Sequence, residues 1–178
     1  MLKIVAAVAA TVAALLGVLF VSAAFKPNTF RVQRSTTIKA PPEKVFPLIN
    51  DFHTWGTWSP YEKLDPAMKR TYGGEAGGKG AVYAWESNGN AGAGRMEITE
   101  SSPNSRIKIK LDFSKPFQAH NVAEFTLDDK GGSTDVTWAM YGPNPYIAKL
   151  MGLFFDMDNL VGKDFEAGLA NLKAAAEK

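Results

Sequence analysis

The chain has 178 residues, no cysteine and a formal net charge of +2. The lack of cysteine excludes disulfides and thiolate metal sites, and the nearly neutral charge excludes the strongly basic surface typical of nucleic-acid-binding proteins. The length suits one domain with a short appendage.

The first element is an uncharged apolar run over residues 4–25. As a helix it would be about 33 Å long, which is enough to cross a bilayer core of roughly 30 Å. We therefore predict a single-pass N-terminal hydrophobic anchor over residues 1–25, a linker over 26–29 and a folded domain over 30–178. A cleaved signal peptide is the first alternative, because Val21-Ser22-Ala23 resembles a small-residue cleavage site. A buried core helix is the second.

The side of the membrane is weakly specified by the flanking charges. Lys3 precedes the run and Lys26, Arg31 and Arg34 follow it, so the positive-inside rule is nearly balanced and leans towards a cytoplasmic domain. A short N-terminal run before a whole domain usually exports that domain. On this ground we expect the domain outside the cytoplasm.

The folded domain begins with a strand over residues 30–40, which is rich in β-branched residues. Pro41 and Pro42 end the strand and begin a short apolar helix, since proline is tolerated in a first helical turn. Asp51 then caps a second small turn. Glycine-punctuated strands follow at 68–72, 81–87, 94–101, 106–113, 119–127 and 134–141. The short turns between them require antiparallel neighbours.

Apolar and polar residues alternate along these strands, which predicts a sheet with one wet and one covered face. The cover is the segment after Pro145, where apolar residues recur at three- and four-residue steps. They are Ile147, Leu150, Phe154, Met157, Val161, Phe165, Leu169 and Leu172. We predict an amphipathic helix that breaks near Asp156 or Asp158, with Gly152 and Gly162 allowing its first part to move.

Several segments carry family-specific motifs, including Trp55-Gly56-Thr57-Trp58-Ser59-Pro60. The others lie at 34–46, 50–52, 80–86, 134–138 and 168–173. In these motifs and in the order of its elements the chain resembles the START-like, or SRPBCC, superfamily, in its polyketide cyclase/dehydrase-like branch. The resemblance implies an α+β helix-grip fold, in which a curved antiparallel sheet wraps around a long C-terminal helix and a cavity lies between them. Members of the superfamily include lipid carriers, ring-closing enzymes and chaperone activators, so the resemblance fixes no single activity.

A cavity that binds a hydrophobic small molecule or lipid is the favoured function, with no cofactor and no metal. The inward-facing residues are richer in tryptophan and methionine than a well-specified core needs, and such residues line ligand pockets. The candidate ligand-binding residues are Trp55, Tyr83, Trp85, Met96, Phe113, Asn121, Phe125, Trp138, Met140, Phe154 and Met157. We expect Trp85, Phe125 and Trp138 to line a pocket that the helix around Phe154 and Met157 closes.

Two other functions stay open. A cyclase or hydro-lyase type of enzyme would use Glu86, Asn121 or His53 as its polar catalyst, although paired inward acids are not evident and we assign no catalytic residue. A protein-interaction module resembling the chaperone activators would combine a filled core with an exposed apolar patch.

Residues 73–80 nearly match a phosphate-binding loop. Gly73, Gly78 and Lys79 have the right spacing, but Gly80 replaces the required hydroxyl residue and a strand follows where a helix is needed. His53 and the other histidine, at 120, would need carboxylates to complete a zinc site. We therefore predict neither a nucleotide site nor a metal site.

Overall fold

The computed structural model describes residues 1–89 and 91–178. The helices are α1 (Leu2–Ala24), α2 (Pro42–Asn50), α3 (Tyr146–Met151) and α4 (Met157–Ala176). The strands are β1 (Thr29–Ile38), β2 (Lys69–Gly74), β3 (Ala81–Glu86), β4 (Ala93–Ser102), β5 (Arg106–Lys115), β6 (Ala119–Asp129) and β7 (Thr134–Pro143). Two 3₁₀ turns, Phe52–Thr57 and Pro60–Lys63, lie between α2 and β2.

All seven strands form one antiparallel sheet in the order β1-β7-β6-β5-β4-β3-β2. Each predicted strand is confirmed to within about two residues at either end, because its bounds follow from glycine- and proline-marked turns. The outer face is polar, as the alternation predicted, and carries ion pairs such as Lys110 Nζ to Asp112 Oδ2 at 2.9 Å.

The core lies between the inner face of the sheet and α4, which confirms the α+β helix-grip architecture. α4 runs beside β1: the Lys173 ammonium donates to the Thr37 carbonyl at 2.8 Å, and the Glu177 carboxylate accepts from the Lys39 N–H at 2.6 Å. The beginning of α4 therefore lies at the same end of the sheet as the beginning of β1. Fully buried residues include Ile38, Val45, Ile49, Ile98, Ile107, Ile109, Val136 and Leu172.

The C-terminal segment forms two helices, and the predicted break at Asp156 is confirmed. The Asp156 carboxylate accepts from the Asn159 N–H at 3.0 Å and so caps α4. The prediction that the apolar residues after Pro145 form one buried stripe was wrong for the first half of the segment. Ile147, Phe154 and Met157 are 65%, 68% and 51% exposed. Residues 152–156 are not helical, so the three- and four-residue spacing does not continue through them.

α1 lies outside this core. Among the described residues, one helix, Lys3–Ala24, is long and apolar enough to cross a membrane. None of its most apolar 18-residue stretch is buried. Its last turns contact α3, where the Tyr146 ring stacks on Phe20 with centroids 6.4 Å apart and the Tyr146 hydroxyl donates to the Phe20 carbonyl at 2.8 Å.

Candidate functional site

The middle of the interior is filled by aromatic side chains. Phe125 is fully buried and its ring centroid lies 5.0 Å from that of Trp138, 6.0 Å from Trp58 and 6.2 Å from Trp55. On its other face Trp138 stacks on Phe165 of α4 at 4.1 Å. Phe125 and Trp138 therefore pack a solid layer that joins the sheet to α4.

This layer corrects the predicted pocket closure. Phe165 covers Trp138, whereas Phe154, in the connection between the two C-terminal helices, and Met157, at the beginning of α4, are exposed. The physical reason is the non-helical connection at 152–156, which turns α3 towards α1 instead of continuing the grip along the sheet.

The inner face of the sheet is less buried at the end from which α1 emerges. Along β5, Ile107 and Ile109 are fully buried but Phe113 is partly exposed. β7 shows the same change from fully buried Val136 to partly exposed Met140. The register explains why β5 and β7 change at the same end of the sheet, because the antiparallel pairing places the ends of both strands beside the beginning of β6.

We call the partly exposed inner residues at this end the mouth. They are Phe30, Trp85, Phe113, Asn121 and Met140. Four of the five are apolar or aromatic, and the Asn121 amide supplies one polar group. Such a lining, apolar with few polar anchors, is typical of sites that bind small apolar molecules.

The Trp85 indole is held rigidly at one side of the mouth. Its Nε1 donates to the Ala91 carbonyl at 2.9 Å, and its ring meets Phe113 edge to face with centroids 5.7 Å apart. Gly94 permits this position, since a Cβ there would lie 2.5 Å from Trp85 Cη2. The mouth therefore has one fixed aromatic wall.

The Asn121 side chain lies against Gly142 on the neighbouring strand. A Cβ at position 142 would overlap Asn121 Oδ1, so glycine is what lets the amide occupy the inner face of the sheet. Two open depressions share residues with the mouth, one of about 410 Å³ at Phe30 and one of about 290 Å³ at Trp85, but most of the residues that line each one lie on the outer face of the sheet. Neither lies between the sheet and α4.

A buried polar cluster around Glu62 was missed by the sequence analysis. The Glu62 side chain is 9% exposed and accepts from the Tyr83 hydroxyl at 2.5 Å and from Arg70 Nε at 2.6 Å. Burial, followed by the hydrogen bond to Glu62, raises the pKa of the Tyr83 hydroxyl well above its ordinary value. Because Glu62 lies in a 3₁₀ turn, no strand alternation or helical spacing marked it as inward.

The Glu62 cluster joins the second 3₁₀ turn to β2 and β3. The carboxylate is bound by a guanidinium and a phenol, and Arg70 Nη2 also donates to the Glu62 carbonyl at 2.8 Å. A carboxylate with both oxygens so engaged is poorly placed to take a proton from a substrate. Tyr83, predicted as a ligand-binding residue, uses its hydroxyl in this cluster.

The other predicted residues fall into two groups. Trp55 and Met96 are core residues, and the Trp55 indole donates to the Ile49 carbonyl at 3.0 Å. Glu86 and His53, the proposed alternative catalysts, lie on the surface. Glu86 pairs with Lys115 Nζ at 3.0 Å, which lowers the pKa of its carboxyl group, and His53 Nδ1 lies 2.7 Å from Asp51 Oδ1.

Two buried polar atoms lack a hydrogen-bond partner among the described residues. They are Trp138 Nε1 and Ser59 Oγ. An unpaired buried polar group costs about 1–3 kcal/mol, so these two atoms lower the stability of the packed interior. No group of three His, Cys, Asp or Glu side chains in residues 1–89 and 91–178 could hold a metal ion.

Comparisons with known proteins agree with this architecture. A family model described as polyketide cyclase / dehydrase and lipid transport matches residues 29–177. No curated protein matches the sequence.

Several solved structures share the fold. A protein from Chromobacterium violaceum is 18% identical with a TM-score of 0.58, over 86% of this chain and 99% of its own. The Aha1 dimer from Colwellia psychrerythraea is 18% identical with a TM-score of 0.60, over 83% and 96%. A protein from Nitrosospira multiformis is 22% identical with a TM-score of 0.58, over 82% and 94%.

Proposed function

Because the chain belongs to the SRPBCC-type family described as polyketide cyclase / dehydrase and lipid transport, we propose that it is a membrane-tethered domain that binds a hydrophobic small molecule or lipid at its mouth. One observation carries the proposal. The inner face of the sheet changes from fully buried at the far end to apolar and partly exposed at the end beside α1.

The composition of the mouth supports an apolar ligand. Phe113 and Met140 offer apolar surface that water covers in the free protein, and displacing that water on binding is favourable. Met140 adapts its shape to different ligands, while the fixed Trp85 indole and the Asn121 amide supply orientation. A ligand with one polar group would fit this arrangement better than a pure hydrocarbon.

The tether is the second part of the proposal. The most apolar stretch of α1 has a mean hydropathy of 2.7 and is not buried by the domain. Exposing this surface to water is unfavourable, and the hydrocarbon core of a bilayer matches the length of the helix. We propose that α1 stays attached as a single-pass anchor and that the domain lies outside the cytoplasm. The mouth then opens close to the bilayer, because α1 and the mouth are at the same end of the domain.

Native mass spectrometry tests the binding function directly. Full-length protein is released from detergent micelles in the gas phase, and the bound mass is identified after solvent extraction. We expect the wild-type protein to carry an apolar compound. Phe113→Ser should lower the affinity about tenfold, equivalent to about 1.4 kcal/mol.

Phe154→Ser is the matched control, since it makes the same change at an exposed phenylalanine outside the mouth. It should leave the bound mass unchanged. If the wild-type protein carries nothing, or if both variants lose the compound equally, the mouth is not the binding site.

Of the three polar residues considered as catalysts for an enzyme, one lies on the inner face of the sheet. Asn121 lies at the mouth, whereas Glu86 and His53 do not. An amide polarises a carbonyl but does not act as a general base at neutral pH. Binding without chemistry is therefore the function that this set of side chains supports better.

A further inference from the structure

We propose that an exposed apolar surface on α3 and the beginning of α4 inserts into the bilayer beside α1. This α3–α4 surface consists of Ile147, Met151, Phe154, Phe155, Met157 and Leu160, each at least 45% exposed. Contiguous apolar surface of this kind is rare on soluble domains and marks an interaction site. The inference rests on the proposed tether, since it takes α1 as the element that brings the bilayer.

The α3–α4 surface is fixed in position relative to the end of α1. The Lys26 ammonium donates to the Gly152 carbonyl, and the Lys149 ammonium donates to Asn28 Oδ1 at 2.6 Å. The Asn144 N–H donates to the Asn28 carbonyl at 2.7 Å. These bonds join both ends of α3 to the segment that follows α1, so the surface cannot swing away from the point where the anchor leaves the membrane.

The position of α1 favours a bilayer over a protein partner. Phe25, directly after α1, is 86% exposed, and Phe20 and Tyr146 form an aromatic pair one turn earlier. Aromatic side chains concentrate at the boundary between hydrocarbon and headgroups. If α1 spans the membrane, that boundary lies at the level of residues 20–26 and therefore next to the α3–α4 surface.

The charges around the surface indicate insertion by apolar contact. Lys149 is buried against Asn28, and the carboxylates at the beginning of α4 are engaged by the Asn159 N–H and by Arg34. No cluster of free basic side chains accompanies the six apolar residues in the described segment 144–161. Attraction to anionic lipid is therefore not the main force, and a zwitterionic membrane should suffice.

Insertion would place the mouth against lipid. The mouth and the α3–α4 surface lie at the same end of the domain, so an apolar molecule could move from bilayer to mouth without crossing water. Passage through water would expose the apolar surface of such a molecule, which is unfavourable, and direct transfer from the bilayer avoids that exposure.

Site-directed fluorescence quenching tests the insertion in full-length protein. The chain contains no cysteine, so Phe154→Cys, Lys130→Cys and Thr11→Cys each provide one labelling site for bimane. The labelled proteins are reconstituted in phosphatidylcholine vesicles and exposed to iodide in water or to spin-labelled lipid. Position 130 lies in the turn between β6 and β7, at the opposite end of the sheet.

We expect the label at position 154 to be quenched by spin-labelled lipid and to be several-fold less accessible to iodide than the label at position 130. Replacing part of the lipid with phosphatidylglycerol should not change this ratio. If the label at 154 is as accessible to iodide as the label at 130, the α3–α4 surface does not insert, and a protein partner becomes its better occupant.

The label at position 11, in the middle of α1, separates the two proposals. Protection at 11 with exposure at 154 would keep the tether and overturn the insertion. Exposure to iodide at 11 would overturn the tether and the insertion with it. Thermal unfolding of each labelled protein verifies that the fold is intact.

Discussion

The indole of Trp138 lies flat against the ring of Phe165, with ring centroids 4.1 Å apart and planes inclined by 8°. Trp138 belongs to β7 and Phe165 to α4, so this pair joins the inner face of the sheet to the helix that it grips. Gly168 brings the helix close enough, because a Cβ there would lie 2.7 Å from Trp138 Cζ3. The grip is therefore an aromatic stack backed by a glycine.

Removing the ring from the stack should destabilise the domain strongly. Phe165→Ala deletes a fully buried ring at a packed site, and we expect the free energy of unfolding to fall by about 3–5 kcal/mol. Urea denaturation followed by far-UV circular dichroism measures the change. Phe154→Ala removes an exposed ring and should cost less than about 0.5 kcal/mol; equal losses would show that α4 is not held by the stack.

Filling the close approach at Gly168 should also destabilise the domain. The new Cβ of Gly168→Ala would meet the rigid rings of Trp138 and Pro60, at 2.7 Å and 3.0 Å. Overpacking of this kind typically costs about 1–3 kcal/mol, which exceeds the gain of up to about 1 kcal/mol in helix propensity. A rise in the midpoint of urea denaturation would contradict the close packing.

Gly162→Ala should behave differently, because its Cβ would overlap the flexible Arg34 guanidinium. Arg34 Nε donates to Glu166 at 2.7 Å and Nη2 to Asp158 at 3.0 Å, and the substitution would break these bonds. In an Arg34→Ala background the same change should stabilise α4 by up to about 1 kcal/mol. A double-mutant cycle measures this coupling, and strictly additive effects would refute the contact.

The Glu62 cluster should make stability decline at alkaline pH. The pKa of Tyr83 is raised above its ordinary value of 10.0, chiefly by burial. Above about pH 10 the unfolded chain loses this proton while the folded protein keeps it, so the free energy of unfolding falls as pH rises. Tyr83→Phe should lower the free energy of unfolding at neutral pH but should make it fall less steeply between about pH 9 and 11. Urea denaturation at each pH measures this slope, and an unchanged slope would exclude Tyr83 as a cause.

Trp85 should be the tryptophan that reports on the mouth. Trp55, Trp58 and Trp138 are buried, whereas Trp85 is partly exposed. We expect acrylamide to quench one part of the tryptophan emission readily and expect Trp85→Phe to remove that part. Retention of the accessible emission in Trp85→Phe would place the exposed indole elsewhere.

A variant that begins at Pro27 should be soluble and folded, while the full-length chain sediments with membranes. The core is built from the sheet, α2, the first 3₁₀ turn and α4, so removal of α1 leaves it intact. Sedimentation and near-UV circular dichroism measure both properties. N-terminal sequencing of the mature protein is the control: a sequence beginning at Ala24 would show a cleaved signal peptide.

The sequence determined the secondary structure of the sheet and its inner and outer faces. Gly131-Gly132 and the other turn residues set the strand bounds, and the alternation from Ile107 to Phe113 set which side of β5 is buried. These are local properties, fixed by turn geometry and by the two-residue period of a strand. The break before α4 was equally local, since Asp156 caps the helix with its own carboxylate.

The tertiary structure decided which apolar residues form the core and which stay exposed. Phe154 and Phe165 have the same side chain in what looks like one helical stripe, yet Phe165 stacks on Trp138 and Phe154 faces outwards. The contacts of α3 with α1, and the position of Glu62 against Tyr83 and Arg70, join residues that are distant in sequence. A periodic pattern records that a residue prefers burial, but the partner that buries it is set only when the chain has folded.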